Sequence, residues 1–264
     1  MKDKMRYITI ILLFATTSCS LKAKEEVKSN EKTIVKTIKI EPNLIDVVLK
    51  NLNIKKENCK VDLIVLKKIP NSPEETIVVI PEIADEGEQY LELNSHILIA
   101  NTKTGEITHK FFESSKTNQW VSDAIQLREI TIDTAPYNVT DNKRAFGVRV
   151  RYVGSSQANP YENETISLFV KSKNELINIL KPYETLGYGG EWDTDCAGEF
   201  TNSKSTLIIS REKTNGYFDI LVKSKITESI DFEDKNGDCD SKESTTRERT
   251  ILIFDGQEYK PDRN

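Results

Sequence analysis

The chain reads as all-β: about twelve antiparallel strands in three four-stranded meanders, preceded by one short helix. Three observations predict this. Beyond residue 59 the sequence is a succession of runs rich in Ile, Val, Thr, Tyr and Phe, separated by polar turn clusters. The runs fall into three sets of four with a common layout, near 60–113, 127–183 and 206–260. Helical periodicity is strong in one place only, "EPNLIDVVLKNLN" at 41–53.

In that segment Leu44, Val47, Val48 and Leu52 recur on one face, Asn43 is placed to cap and Pro42 precedes it. The first meander is expected from runs at 60–69, 75–83, 93–101 and 106–113. The second comes from 127–135, 144–154, 164–172 and 175–183, and the third from 206–212, 217–227, 246–255 and 258–260. In each set the third and fourth runs flank a tight turn, "NTKTGE", "KSKNE" or "FDGQE", of which Asp255-Gly256 is the strongest hairpin signal. A four-stranded meander is also the blade unit of a propeller. Three blades fall short of ordinary closure, so stacked meanders in an open array are expected first and a propeller-like closure second. The run "GYGGEW" (187–192) lacks the Lys-Ser/Thr of a phosphate loop and reads as a flexible connection.

The N-terminus carries Lys2, Lys4 and Arg6, then the apolar run "YITIILLFA" (7–15), then "TTSCS". Nine apolar residues are too few for a membrane-spanning helix, which needs about 20, and suit a secretory signal. Small residues leading into Cys19 resemble the lipobox of bacterial lipoproteins, with Thr16 where a leucine-like residue is usual. The resemblance implies a signal peptide at 1–18, lipidation of Cys19, three acyl chains and membrane attachment through that lipid. Ser20, in place of an inner-membrane retention Asp, implies sorting to the outer membrane. Residues 19–41 are polar and charged and read as a disordered tether, and 42–264 as a single β-rich domain.

Loss of residues 1–18 would remove three cations and one anion, taking the formal charge from −5 to −7. So acidic a chain gives no expectation of nucleic-acid binding or of side-chain adsorption to anionic membrane. Apart from Cys19 there are three cysteines. Cys196 in "EWDTDCAGEF", just before the third meander, and Cys239 in "EDKNGDCDSKE", in that meander's long second-to-third loop, both lie in acidic turns, and an oxidising envelope makes Cys196–Cys239 the expected disulfide. Pairings with Cys59 stay open, and Cys59 otherwise reads as a small buried residue.

The second turn places Asp234, Asn236 and Asp238 at alternating positions, with Asp240 beyond, as a calcium loop requires. It resembles EF-hand loops and the D-x-N-G-D-G loops of FG-GAP-type propeller blades. It departs from both at Cys239, where glycine is expected, and from the EF-hand again at Thr245. A stapled turn is therefore expected before a cation site, and no other cofactor is implied.

His96 and His109 lie among alternating strand residues without a third ligand beside them and read as structural. Trp120 and Trp192, in polar surroundings, are candidate interface anchors. Asp193 and Asp195 are the candidates for general acid and base. The segments "SDAI", "GEWDT-C-GEF" and "FDGQEY" resemble stretches of uncharacterised bacterial envelope lipoproteins. The expectation is a lipid-anchored envelope protein with a non-enzymatic binding or structural domain and a possible protein partner. A periplasmic toxin-inhibiting immunity protein and an envelope hydrolase are the alternatives.

Overall fold

The structure, a computed structural model, describes residues 44–262, all within the unit Lys39–Asn264. The expected signal peptide, Cys19, the tether and the capping Asn43 lie outside the described residues.

Helix α1 (Leu44–Leu52) leads into two short 3₁₀ turns, Lys56–Asn58 and Val61–Leu63. The first meander follows as β1 (Val65–Ile69), β2 (Ser72–Glu86), β3 (Leu91–Asn101) and β4 (Ile107–Glu113). A connector holds α2 (Ser115–Asn118) and β5 (Val121–Ser122), neither anticipated from sequence. The second meander is β6 (Ile125–Asn138), β7 (Arg144–Gly154), β8 (Tyr161–Ser172) and β9 (Glu175–Trp192). The third is β10 (Gly198–Thr214), β11 (Tyr217–Glu233), β12 (Cys239–Phe254) and β13 (Tyr259–Pro261).

All neighbours within the meanders pair antiparallel. The meanders are nevertheless one sheet. β9 meets β4 in parallel at Lys110–Glu175, and its last residues, Leu186–Trp192, pair antiparallel with Lys204–Gly198 of β10. The path runs from β1 to β13 without returning on itself, so the array is open and the propeller alternative does not hold.

Period-2 alternation builds the layers. On β2, Ile77 and Val79 face the second meander while Val78 and Ile80 face α1. The first cluster joins the first two meanders through Leu93, Ile97 and Ile99 against Ile130, Val148 and Phe169. The other face of the second meander, with Ile166, Leu168 and Val170, packs on Ile220, Val222, Leu252 and Phe254 of the third. Helix α1 covers the outer face of the first meander with Leu44, Val48 and Leu49. Each fully buried Leu, Ile or Val removes apolar surface worth about 1.5–3 kcal/mol, and all three clusters contain several.

Several strands run past their apolar stretch. β9 continues through "GYGGEW" to Trp192, so that run is paired strand and not a flexible loop. β10, β11 and β12 likewise extend into polar sequence. The ladder satisfies their backbone groups without needing apolar side chains, which is why hydrophobic patterning underestimated them.

Candidate binding face

The extensions of β9–β12 form a ribbon whose two ends differ. At the inner end Val222 and Leu252 are buried, while from Cys239 to Arg249 every residue of β12 is exposed. β13 pairs only with Leu252–Phe254, so among the described residues the rest of the outer edge of β12 has no strand beside it.

Strand alternation sorts the charges. In Lys223-Ser224-Lys225 both lysines point to one face, and in Arg247-Glu248-Arg249 both arginines do, with Glu248 opposite. The register sets Thr206, Lys223 and Arg249 in one row and Lys204, Lys225 and Arg247 in the next. Neighbours across the ladder are about 4.8 Å apart, and successive residues on one face about 6.8 Å. All five cations are exposed, and none has a carboxylate partner among the described residues. On one flank the row Ile208, Leu221, Ile251 continues the face, with Ile251 47% exposed.

On the other flank lie the rows Asn202, Thr227, Thr245 and Phe200, Ser229, Glu243, with Tyr188 and Gly190 of β9 alongside. The Tyr188 and Phe200 rings are nearly parallel, 6.2 Å between centroids and 5° between planes. The glycines make room for this. A Cβ on Gly190 would collide with the Phe200 ring and the Glu199 carbonyl, and one on Gly198 would meet the same ring. An open hollow of about 520 Å³ is lined by Tyr188, Phe200, Lys204, Lys225, Asp231 and Glu243, among others. A second, of about 870 Å³, adjoins it and reaches Trp192 and both cysteines.

The far end of the ribbon is closed by two Asp-headed turns. Asp193 Oδ1 accepts the N–H groups of Asp195 and Ala197 at 2.8 and 3.0 Å. Asp234 Oδ1 accepts those of Asn236 and Asp238 at 2.8 and 3.0 Å. Cys196 and Cys239 stand beside these turns at disulfide distance, Cα to Cα 5.4 Å across 43 residues of sequence.

This geometry revises the calcium expectation. The carboxylate of Asp234 is turned inward to cap its own loop, and Asn236 Nδ2 donates to its other oxygen at 3.2 Å. Among the described residues no group of three or more His, Cys, Asp or Glu is placed to hold a metal. Backbone donors, that of Asp195 foremost, hold the Asp193 carboxyl below its ordinary range. A general acid needs the reverse, and the same bonds make Asp193 the cap of its own turn.

The tryptophans part company. Trp120 is 6% exposed and packs in the cluster between the first two meanders, so it is core and not an interface anchor. Gln119, at φ 64°, turns the chain after α2, and Asn118 Oδ1 accepts the Trp120 N–H at 2.8 Å; these local bonds send the ring inward despite its polar neighbours. Trp192 ends β9 half-buried on the wall of the larger hollow.

Cys59 is buried, and burial, reinforced by Glu82 and Glu57, pushes its thiol up to about 11. His96 bonds Glu82 at 2.8 Å and His109 bonds Thr108 at 2.9 Å.

A denser titratable cluster lies in the second meander, where Arg149 bridges Asp133 at 2.9 Å and Glu164 at 2.6 Å. Tyr137 donates to Asp133 and Thr185 to Glu164. Burial pushes the Asp133 carboxyl up, but Ala135 N–H, Tyr137 and Arg149 outweigh it and leave it below its ordinary range. Each member has its partner, which suits a structural clamp.

Sequence reading missed the cationic face because net charge conceals segregation. The signal was present as K-S-K and R-E-R at strand period within exposed runs.

No family model, no curated protein and no solved structure matches this chain.

Proposed function

We propose that this chain is a cell-envelope lipoprotein, attached through lipid on Cys19 and sorted to the outer membrane, whose β domain acts by binding and not by catalysis. The observation that carries the binding half is the outward face of β9–β12. Lys204, Lys223, Lys225, Arg247 and Arg249 stand in register and exposed on a chain of net charge −5. Five like charges on one face repel one another, and together they attract an anionic partner. The attachment half is supported by "TTSCS" after a short apolar run. In that oxidising compartment Cys196 and Cys239 would be bonded, fixing the end of the ribbon. An immunity role based on an acidic surface draws no support from this face, which is basic.

Two measurements test the proposal. Cys19→Ala should shift the protein from the membrane to the soluble fraction on cell fractionation; unchanged membrane association would sink the lipid anchor. Cross-linking in intact cells should give adducts with the wild-type chain that Arg247→Glu with Arg249→Glu removes. Adducts indifferent to that pair would overturn the assigned binding face.

A further inference from the structure

The geometry points to an acidic polysaccharide as the ligand of the outward β9–β12 face. This inference deepens the binding proposal and rests on it. The two cation rows call for a ligand that repeats negative charge at intervals of about 5–7 Å, the spacing of the ladder itself. Charge alone would admit nucleic acid, polyphosphate or an anionic bilayer as well. The rest of the face discriminates among them.

Asp231 and Glu243 line the same hollow as Lys204 and Lys225. Ionised carboxylates only accept hydrogen bonds. They repel any anionic group that passes over them, and they suit a ligand that also brings hydroxyl donors, which a polyphosphate chain lacks. Asn202, Thr227 and Ser229, between the carboxylates and the cations, add amide and hydroxyl partners. The near-parallel Tyr188 and Phe200 rings, 6.2 Å apart, supply a π surface for the C–H face of a sugar ring.

A ligand with anionic groups, many hydroxyls and apolar ring faces at short repeat is a uronate- or sulfate-bearing glycan. The face is open, which fits a polymer lying along it better than an enclosed small molecule. Glu199, Glu228 and Glu248 of the same strands alternate to the opposite face, so the two cation rows hold no carboxylate and those of this face, Asp231 and Glu243, lie in rows beyond them.

The test uses the full-length lipidated protein in neutral detergent micelles and titration calorimetry. Heparin and polygalacturonate are the probes, with dextran, polyphosphate and anionic phospholipid vesicles as comparisons. The acidic glycans should bind and dextran should not. Lys225→Glu with Arg247→Glu should weaken binding on the order of tenfold or more. Phe200→Ala should weaken it on the order of fivefold, with little change as salt rises, because stacking is not screened. Lys225→Gln with Arg247→Gln serves as a milder pair of exposed substitutions, and circular dichroism checks that each variant is folded.

Polyphosphate or vesicles binding as tightly as the glycans, with Phe200→Ala without effect, would overturn the glycan and leave a generic polyanion face. Failure of every probe, with cellular adducts still dependent on Arg247 and Arg249, would overturn the glycan while the binding proposal stands. Failure of the probes and of that dependence would overturn both.

Discussion

The third meander has two halves held by different physics. At its inner end Ile220, Val222 and Leu252 are fully buried against the second meander. At its outer end, from Lys223 to Glu233 and from Cys239 to Arg249, no side chain is buried. What continues across both halves is the backbone ladder, with fourteen residue pairs in register between β11 and β12. A net hydrogen bond contributes only about 0.5–1.5 kcal/mol, and a ribbon with two wet faces adds little burial to it. The outer half therefore needs closure at its far end, which the Cys196–Cys239 contact and two Asp-headed turns supply. It also follows that the outer half is where side chains are free to be chosen for binding, since the core makes no demand on them.

The largest effect should come from the core side. Leu252 is fully buried in the cluster between the second and third meanders. Leu252→Ala should cost about 2–5 kcal/mol, read as a shift in the urea midpoint. A loss smaller than that of any outer-ribbon substitution would break the contrast between the halves.

Removing the staple comes next, and it sharpens where the boundary between the halves lies. Closing a loop of 43 residues stabilises by about 4 kcal/mol in the chain-entropy model if the whole domain unfolds as one unit. If the outer ribbon opens on its own, Cys196→Ser with Cys239→Ser should leave the urea midpoint little changed. Amide exchange should then accelerate in 198–204 and 226–248. The two halves predict the second outcome. Loss of global stability by the full amount, with uniform exchange, would show one cooperative unit.

The same division explains what could be read in advance. Strands that bury a face announce themselves by alternation, so each of the twelve expected runs holds a strand, from Ile77 and Val79 on β2 to Leu252 and Phe254 on β12, although the first, 60–69, opens with the 3₁₀ turn Val61–Leu63 and is strand only from Val65. Sheet extensions such as Gly187–Trp192 carry little apolar signal, because their order is set by the ladders to β8 and β10 alongside. Cysteine pairing was legible from two similar acidic turns. The orientation of Trp120 was not, because it depends on a left-handed Gln119 and a bond from Asn118 that polar composition does not encode. The cationic face was legible only once the register across three strands was known: two lysines and two arginines two residues apart mean little until the ladder aligns them.

The smallest effect, and the most specific to the outer half, concerns acid. Asp193 is held below its ordinary range by backbone N–H groups, first that of Asp195, and Asp234 by those of Asp238 and Asn236. In the unfolded chain an aspartate titrates near about 3.9. A carboxyl with a lower value in the folded state stabilises fully above that unfolded value and ceases to do so as pH falls through its own. The turns should thus be at full strength near neutrality and weaken only below about pH 4. Asp193→Asn with Asp234→Asn keeps an oxygen for the same N–H donors while removing the charge. It should change little at pH 7 and should flatten the acid-induced rise in amide exchange across 193–197 and 234–238. Asp133 in the second meander shifts in the same direction, so the informative quantity is the difference between variant and wild type. Should the Asp193 and Asp234 carboxyl resonances titrate at or above the free aspartate value, the turns would not be held by these bonds, and closure of the outer ribbon would rest on the cysteines alone.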